Sequence, residues 1–398
     1  MKERPRVADQ YYSKALDQYF PTRLDVLLYA HDGRGLGHAG RTIGIGMAIR
    51  RLYPDLRVLF VSGAGVSQSL IGRSGLDWIK LPSYASRIKN GVSSGVNGPA
   101  NFYKSVLGQH RARMLAQIVE SFRPKVILAD HSPLGKREEL IPALERSEPF
   151  DTKWVLGLRA VIGNPKNFWS NRTRQVFESF YHSVFWYGDP AVLGSSHMDR
   201  IEQHFGRRPK PMGYVSRLYE TRQLLNPADR SFTGTISLPW LSRESRRFVQ
   251  TLKQAIARRP SGECWNIFIN NNDFPDVERL FSDLPSVRVE PVGEAYAQTL
   301  LNSKMAIIYG GYNSLMDAAA AEIPAIVVMR EMKDNEQDEH IRQLLCHTPR
   351  SMIMVEESRS DADGLEDAVS SLLSRGCIPV GMDIKGSEAA ARKISEMI

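Results

Sequence analysis

The chain has 398 residues, 42% hydrophobic and 24% charged, enough apolar material for a buried core and, at about 100–200 residues per domain, two domains. Its three cysteines, Cys264, Cys346 and Cys377, lack a C-x-x-C pair or a histidine at ligand spacing, which argues against a disulfide framework or zinc site and fits a reducing, cytoplasmic setting. The net charge of +8 favours anionic partners such as a nucleotide or an acidic lipid face, whereas the lack of zinc-finger, RRM or basic-zipper patterns argues against nucleic acid.

Residues 1–23 read as a polar, partly helical arm without an apolar signal segment, and no run approaches the roughly 18–20 apolar residues of a membrane span. Leu24 to Ala30 reads as a buried strand, followed by the glycine-rich HDGRGLGHAGR and by helical spacing from Thr42 to Leu52. Further strands are expected at Arg57 to Ser62, Lys125 to Asp130, Trp154 to Leu158 and Ser183 to Tyr187, with a helix over Phe102 to Phe122. The stretch from Trp78 to Arg113 carries Lys80, Arg87, Lys89, Lys104, Arg111 and Arg113 and no acid, a basic segment suited to an anionic surface.

A Pro/Gly-bearing linker at Lys210 to Tyr214 separates this half from a second one built the same way. There the strands are Ser231 to Ser237, Trp265 to Asn270, Val287 to Pro291, Met305 to Tyr309 and Ala325 to Met329. Helices are expected at Arg243 to Arg258, Tyr296 to Asn302, Asn313 to Ala321 and Asp334 to Leu345, and a last amphipathic helix spans Gly386 to Ile398. Strands alternating with helices predict an α/β fold of two Rossmann-like, doubly wound domains facing a cleft. The boundaries are 1–212 and 213–386, with 387–398 packing back on the first domain.

The segment IIYGGYNSLMD at 307–317 couples a strand to a helix through two glycines. A helix N-terminus attracts phosphate, Gly310 and Gly311 let an oxygen approach the backbone, Asn313 or Ser314 can cap the helix or donate, and Asp317 one turn later suits ribose hydroxyls. The next strand end offers Arg330 to balance a diphosphate, and Asp334, Glu336 and Gln337 to hold sugar hydroxyls. In the first half, GRGLGH at 33–38 is not GxGxxG, and the second strand ends in Val61-Ser62-Gly63 without an acid for an adenine ribose, so NAD is rejected. His38 there is a candidate base or phosphate-side donor. The GxSxG match at 91–95 lies in loop-like surroundings and the Asn171 sequon has no secretory context, so both are set aside.

These segments resemble glycosyltransferase family 28 of the GT-B fold, which includes peptidoglycan-precursor N-acetylglucosaminyltransferases and related bacterial enzymes. The resemblance rests on GRGLGHAGR at 33–41, ADHSPLGKREEL at 129–140, YGDPAV at 187–192, GYVSR at 213–217 and, most specifically, GGYNSLMDAAAAEIPAIVVMREMKDNEQ at 310–337. It implies an inverting, metal-independent transfer from a nucleoside diphosphate sugar, UDP-type favoured, with no other cofactor. The donor would lie on Gly310, Gly311, Asn313, Ser314, Asp317, Arg330, Glu336 and Gln337, with Arg217 helping and the Val292-Gly293 backbone reading the base. The acceptor, a lipid-linked sugar or a small metabolite, would lie by Gly35, Gly37, Asp130 and His131, with His38 as base.

Three departures stand out: TISLPW at 235–240 lacks the family's glycines, NNND at 270–273 replaces a Gly-Pro-like turn, and Ala160 stands where relatives tend to have Asp. The altered loops motivate one rival reading, a catalytically silent nucleotide- or glycan-binding partner, and the GT-B fold itself supports another, a nucleotide-sugar hydrolase or epimerase. The localisation implied is cytoplasmic, with peripheral contact at the inner membrane face through 78–113.

Overall fold

The structure, a computed structural model, describes residues 23–31, 37–89, 92–96, 98–165, 167–225, 230–238, 241–330, 336–348, 350–376 and 381–398, with backbone alone at 86–89, 92–96, 243–244 and 336–337. Strands β1 (Val26–Ala30), β2 (Val58–Ser62), β3 (Asp77–Lys80), β6 (Val126–Asp130), β7 (Lys153–Arg159), β8 (Tyr181–Tyr187) and β9 (Lys210–Pro211) form one parallel sheet in the order β3-β2-β1-β6-β7-β8-β9. Between β3 and β6, β4 (Ala85–Lys89) and β5 (Val92–Val96) pair as an antiparallel hairpin. The second sheet, order β12-β11-β10-β13-β14-β15, is also parallel; its strands are β10 (Phe232–Ser237), β11 (Trp265–Ile269), β12 (Val287–Pro291), β13 (Ser303–Tyr309), β14 (Ala325–Met329) and β15 (Met352–Glu356).

The central strands are apolar on both faces, as a sheet covered on both sides requires. In β1, Val26 and Leu28 join a core with Ile43 and Ile394, while Leu27 and Tyr29 face the opposite core with Leu115 and Ile127. The helices that position the site are α1 (Gly37–Leu52), α2 (Ser67–Ile71), α3 (Lys104–Phe122), α4 (Arg217–Leu224), α5 (Arg243–Ala257), α6 (Tyr312–Ala321), α7 (Glu336–His347) and α8 (Gly386–Ser395). The sheets reverse strand order between β1 and β6 and between β10 and β13, which places ligand crevices beyond the carboxyl ends of those strands.

The chain passes between the sheets twice, and the two crossings are tied together. Tyr214 N–H donates to the Asp383 carbonyl at 2.7 Å, Gly386 N–H to the Tyr214 carbonyl at 3.0 Å, and Val215 pairs with Lys385. Helix α8 then lies against α1: Ala390, Ala391 and Ile394 are fully buried in the first domain's core, and Arg51 bridges Glu220 and Glu388 at 2.9 and 2.7 Å.

Several expectations change. Helix α1 begins at Gly37 rather than Thr42, so His38 sits on its first turn and not in a loop. The residues around the GxSxG match form the β4–β5 hairpin, not a loop, because Val92 to Val96 finds a partner strand that a search for buried runs does not detect. Arg111 is not part of an exposed basic face: it is fully buried and paired with Glu139 at 2.6 Å. The arm over 1–22, residues 32–36, Pro239-Trp240, 331–335 and Cys377 lie outside the described residues.

Candidate active site

On the first domain's side, Asp130 ends β6 and His38 opens α1. The His38 Nδ1 and Asp130 Oδ2 atoms are 2.5 Å apart, and Arg41, one turn along α1, donates to the same carboxylate at 3.2 Å. Burial first, then the charges of Arg41, Arg159 and Lys136, hold His38 neutral well below the ordinary histidine range. The carboxylate needs a donor, so the single imidazole proton belongs on Nδ1 and Nε2 keeps its lone pair. That is the state a general base requires.

His131, next along the chain, has a left-handed backbone (φ 72°) and donates its N–H to the Gly157 carbonyl at 2.7 Å. Its ring lies 5.1 Å from that of His38 and stacks on Phe168 at 5.4 Å. His31, at the end of β1, is 4.2 Å from His38 ring to ring. Sequence reasoning missed His31, Arg41 and Arg159. The signal was their position: His31 follows β1, Arg159 is the last residue of β7 and Arg41 lies one helical turn from His38. Among the described residues no group of three or more His, Cys, Asp or Glu is arranged to hold a metal ion.

On the second domain's side, Gly311 is the residue preceding α6, and no side chain caps that helix. Asn313 and Ser314 therefore do not cap it; they lie within its first turn. Asn313 Nδ2 instead reaches across to the Gly37 carbonyl at 3.4 Å, and a Cβ on Gly40 would come within 2.9 Å of the same nitrogen. The starts of α1 and α6 thus face each other, and Arg41 lies over the Tyr312 ring at 5.3 Å. The two glycines differ. A Cβ on Gly311 would meet nothing within 4 Å, whereas one on Gly310 would strike Ile341 of α7, so Gly310 serves packing rather than ligand approach. The first N–H groups of α6 thus have no side-chain cap and lie beside open space at Gly311, an arrangement whose donors and dipole favour an anion.

Asp317 points at the linker. Its Oδ1 accepts from Ser216 Oγ at 2.7 Å, and the Leu218 N–H donates to the same Ser216 hydroxyl at 3.0 Å. Burial pushes this carboxyl up, against the pull of Arg217, Ser216 and Leu218. Arg217 opens α4, donates to the Leu70 carbonyl of α2 at 3.3 Å and is lowered by burial. Gly44 of α1 lies close beneath it, a Cβ there falling 3.2 Å from Arg217 Cα.

Arg330 is not left to balance a diphosphate as expected. It pairs with Glu357 through two nitrogens at 2.9 Å each, donates to Ser245 at 2.6 Å and covers the Tyr309 ring. Its charge is matched where it lies. Glu336 and Gln337 open α7, but their side chains lie outside the described residues, as does Gly35. Val292 is exposed and its N–H donates to the Ile269 carbonyl at 2.8 Å; Gly293 follows at the same strand end. The NNND segment is a built turn: Asn270 Oδ1 accepts from the Asn272 and Asp273 amides, and Asp273 Oδ2 accepts from the Leu241 N–H at 3.1 Å. Side-chain bonds there do the shaping that glycines do in the family's pattern.

Residues 242–398 match the glycosyltransferase family 28 C-terminal domain. No curated protein matches the sequence. Among solved structures, Acinetobacter baumannii MurG is similar with a TM-score of 0.54 at 12% identity, covering 94% of this chain and 99% of its own. The UDP-GlcNAc 2-epimerase of Methanocaldococcus jannaschii gives 0.60 at 11% identity over 94% and 99%. Spinosyn rhamnosyltransferase SpnG complexed with thymidine diphosphate gives 0.51 at 18% identity over 94% and 96%. At such identities the structural likeness is one of fold. Two parallel α/β domains face across a cleft in the GT-B fold of these structures, and the second of them matches the glycosyltransferase family 28 C-terminal domain.

Proposed function

We propose that the protein transfers a sugar, with inversion and without a metal, from a nucleoside diphosphate donor of the UDP type to an acceptor hydroxyl. The observation that carries this reading is the uncapped start of α6 opposite the His38–Asp130 pair. The diphosphate would sit in the open space by Gly311 on the first amides of α6, with Asn313, Ser314 and Arg217 around it and Val292-Gly293 at the base. Glu336 and Gln337 would hold the sugar, and Asp317 the ribose.

His38 Nε2 would take the acceptor proton while the acceptor oxygen attacks the anomeric carbon from the face opposite the leaving group. The carbon–oxygen bond to the diphosphate breaks with its electron pair going to the phosphate oxygen, where backbone donors stabilise the charge. Asp130 keeps Nδ1 protonated and Arg41 holds Asp130 in place. The acceptor would bind by Gly35, Gly37, Asp130 and His131. A lipid-linked acceptor fits the surface near 78–113, where Phe102, Tyr103 and Val106 are exposed beside Lys104. No helix among the described residues is long and apolar enough to cross a membrane.

UDP release from a panel of UDP-sugars, with and without a mixture of hydroxyl acceptors, tests the reading. Acceptor-dependent release that falls about 10²–10⁴-fold in His38→Gln is expected. Acceptor-independent release would favour the hydrolase or epimerase, and no release from any donor the silent partner. Because His38 stays neutral below its ordinary range, the acid limb of kcat/KM should fall below pH 6.5. A limb at or above pH 6.5 would contradict its role as base.

A further inference from the structure

Asp317, to which the reading above gives the ribose, is already engaged. Ser216 is 2% exposed and its hydroxyl works twice: it donates to Asp317 Oδ1 at 2.7 Å and accepts the Leu218 and Tyr219 amides at 3.0 and 3.3 Å as the N-cap of α4. Arg217 lies beside the same carboxylate. A carboxylate of the donor-side helix thus rests on the N-terminus of the linker helix, where backbone donors and the helix dipole favour negative charge.

The same linker is pinned one residue earlier. Tyr312, at the start of α6, accepts the Val215 N–H at 2.9 Å and donates to the Tyr187 carbonyl of β8 at 3.1 Å. Helix α6 therefore grips the crossing at two successive residues, Val215 through Tyr312 and Ser216 through Asp317. A carboxylate accepts several hydrogen bonds, but two hydroxyls of a ribose need both its oxygens, and Ser216 now holds Oδ1.

We infer that Ser216 is a positioning residue that competes with the donor ribose for Asp317, so that nucleotide binding releases the start of α4 and is thereby coupled to the crossing between the domains. The inference rests on the donor reading proposed above. In the structure described, Asp317 holds the linker through Ser216; with a donor bound, it turns to the ribose and the Ser216 hydroxyl, which caps the Leu218 and Tyr219 amides, gives up its carboxylate partner. Ser216 acts through Asp317 and touches no reacting atom.

Calorimetric titration with UDP of wild type, Ser216→Ala, Ser216→Thr and Asp317→Ala tests this, together with amide exchange at Leu218 and Tyr219. Loss of one hydrogen bond to a charged group corresponds to about tenfold, so Ser216→Ala should bind UDP up to about tenfold more tightly, while Ser216→Thr, which keeps the hydroxyl, stays near wild type. In wild type the two amides should exchange faster with UDP bound. Ser216→Ala binding UDP equally or more weakly, with Asp317→Ala losing it, would overturn the switch alone. Equal UDP affinity in Asp317→Ala and wild type would overturn the assignment of ribose to Asp317 and the switch with it.

Discussion

Gly310 and Gly311 are adjacent and identical in sequence, yet a side chain would meet different surroundings at each. A methyl at Gly310 enters the space of Ile341, which is fully buried, with Met329 Sδ 3.4 Å away. Gly310→Ala should therefore cost about 1 kcal/mol or somewhat more in a denaturant melt; an unchanged midpoint would show that α7 yields freely. Asn313 shows the same limit of reading: an amide near a helix start is a natural cap, and only the facing of α1 turns it to Gly37. The His38–Asp130 contact spans 92 positions, and no local pattern announces it. His38 could be singled out from its glycine-rich context, and Asp130 and His131 from the family's motif. Arg330 could not be told from a ligand-binding arginine, because its partner Glu357 lies on the next strand end.

Among the elements, strands and helices with strong apolar runs were legible almost to the residue. β14 has the expected bounds, since an apolar strand between turn signals has few alternatives. The β4–β5 hairpin was not legible, because its register depends on a partner strand and not on its own composition. The close approach of α8 to α1 is a matter of three small or branched residues, Ala390, Ala391 and Ile394, lying on one face. Ile394→Ala should destabilise the unit containing α1 by about 2–5 kcal/mol, although it lies near the end of the chain. Faster amide exchange in α1 than in the second sheet would confirm where the loss falls; loss confined to the second sheet would contradict the packing.

At the scale of the whole molecule, buried neutral histidines set an acid limit. His31, His38 and His131 are held well below their ordinary range, and His340 is lowered to about 3, in each case by burial first. His340 stacks on Tyr214 and Tyr312 where the chain crosses between the sheets. Their unfolded forms bind protons below about pH 6.5 while the folded forms do not, so stability is full above that pH and declines as pH falls. Over the 1.5 units from pH 6.5 to 5, His340 alone corresponds to about 2 kcal/mol. His340→Phe keeps the stacking and should flatten the decline by that amount in pH-dependent melts; an unchanged slope would show that His340 titrates normally. At lower pH Asp25 adds to the loss: burial alone would raise it, but bonds from Arg57 and Lys125 hold it far below the usual carboxylate range.

The central claim is that the cleft between the two sheets takes a nucleoside diphosphate on the open start of α6. Thermal melts of wild type and Gly311→Val with UDP, dTDP, GDP and ADP test it most directly, because Gly311 has ordinary extended dihedrals and open space, so the variant keeps the fold while filling the anion site. At about 100 times its dissociation constant, a ligand bound only to the folded state adds roughly 2.7 kcal/mol. One diphosphate should stabilise wild type to that extent and Gly311→Val much less, and its base would name the donor. Equal stabilisation of both proteins, or none by any of the four, would contradict the account.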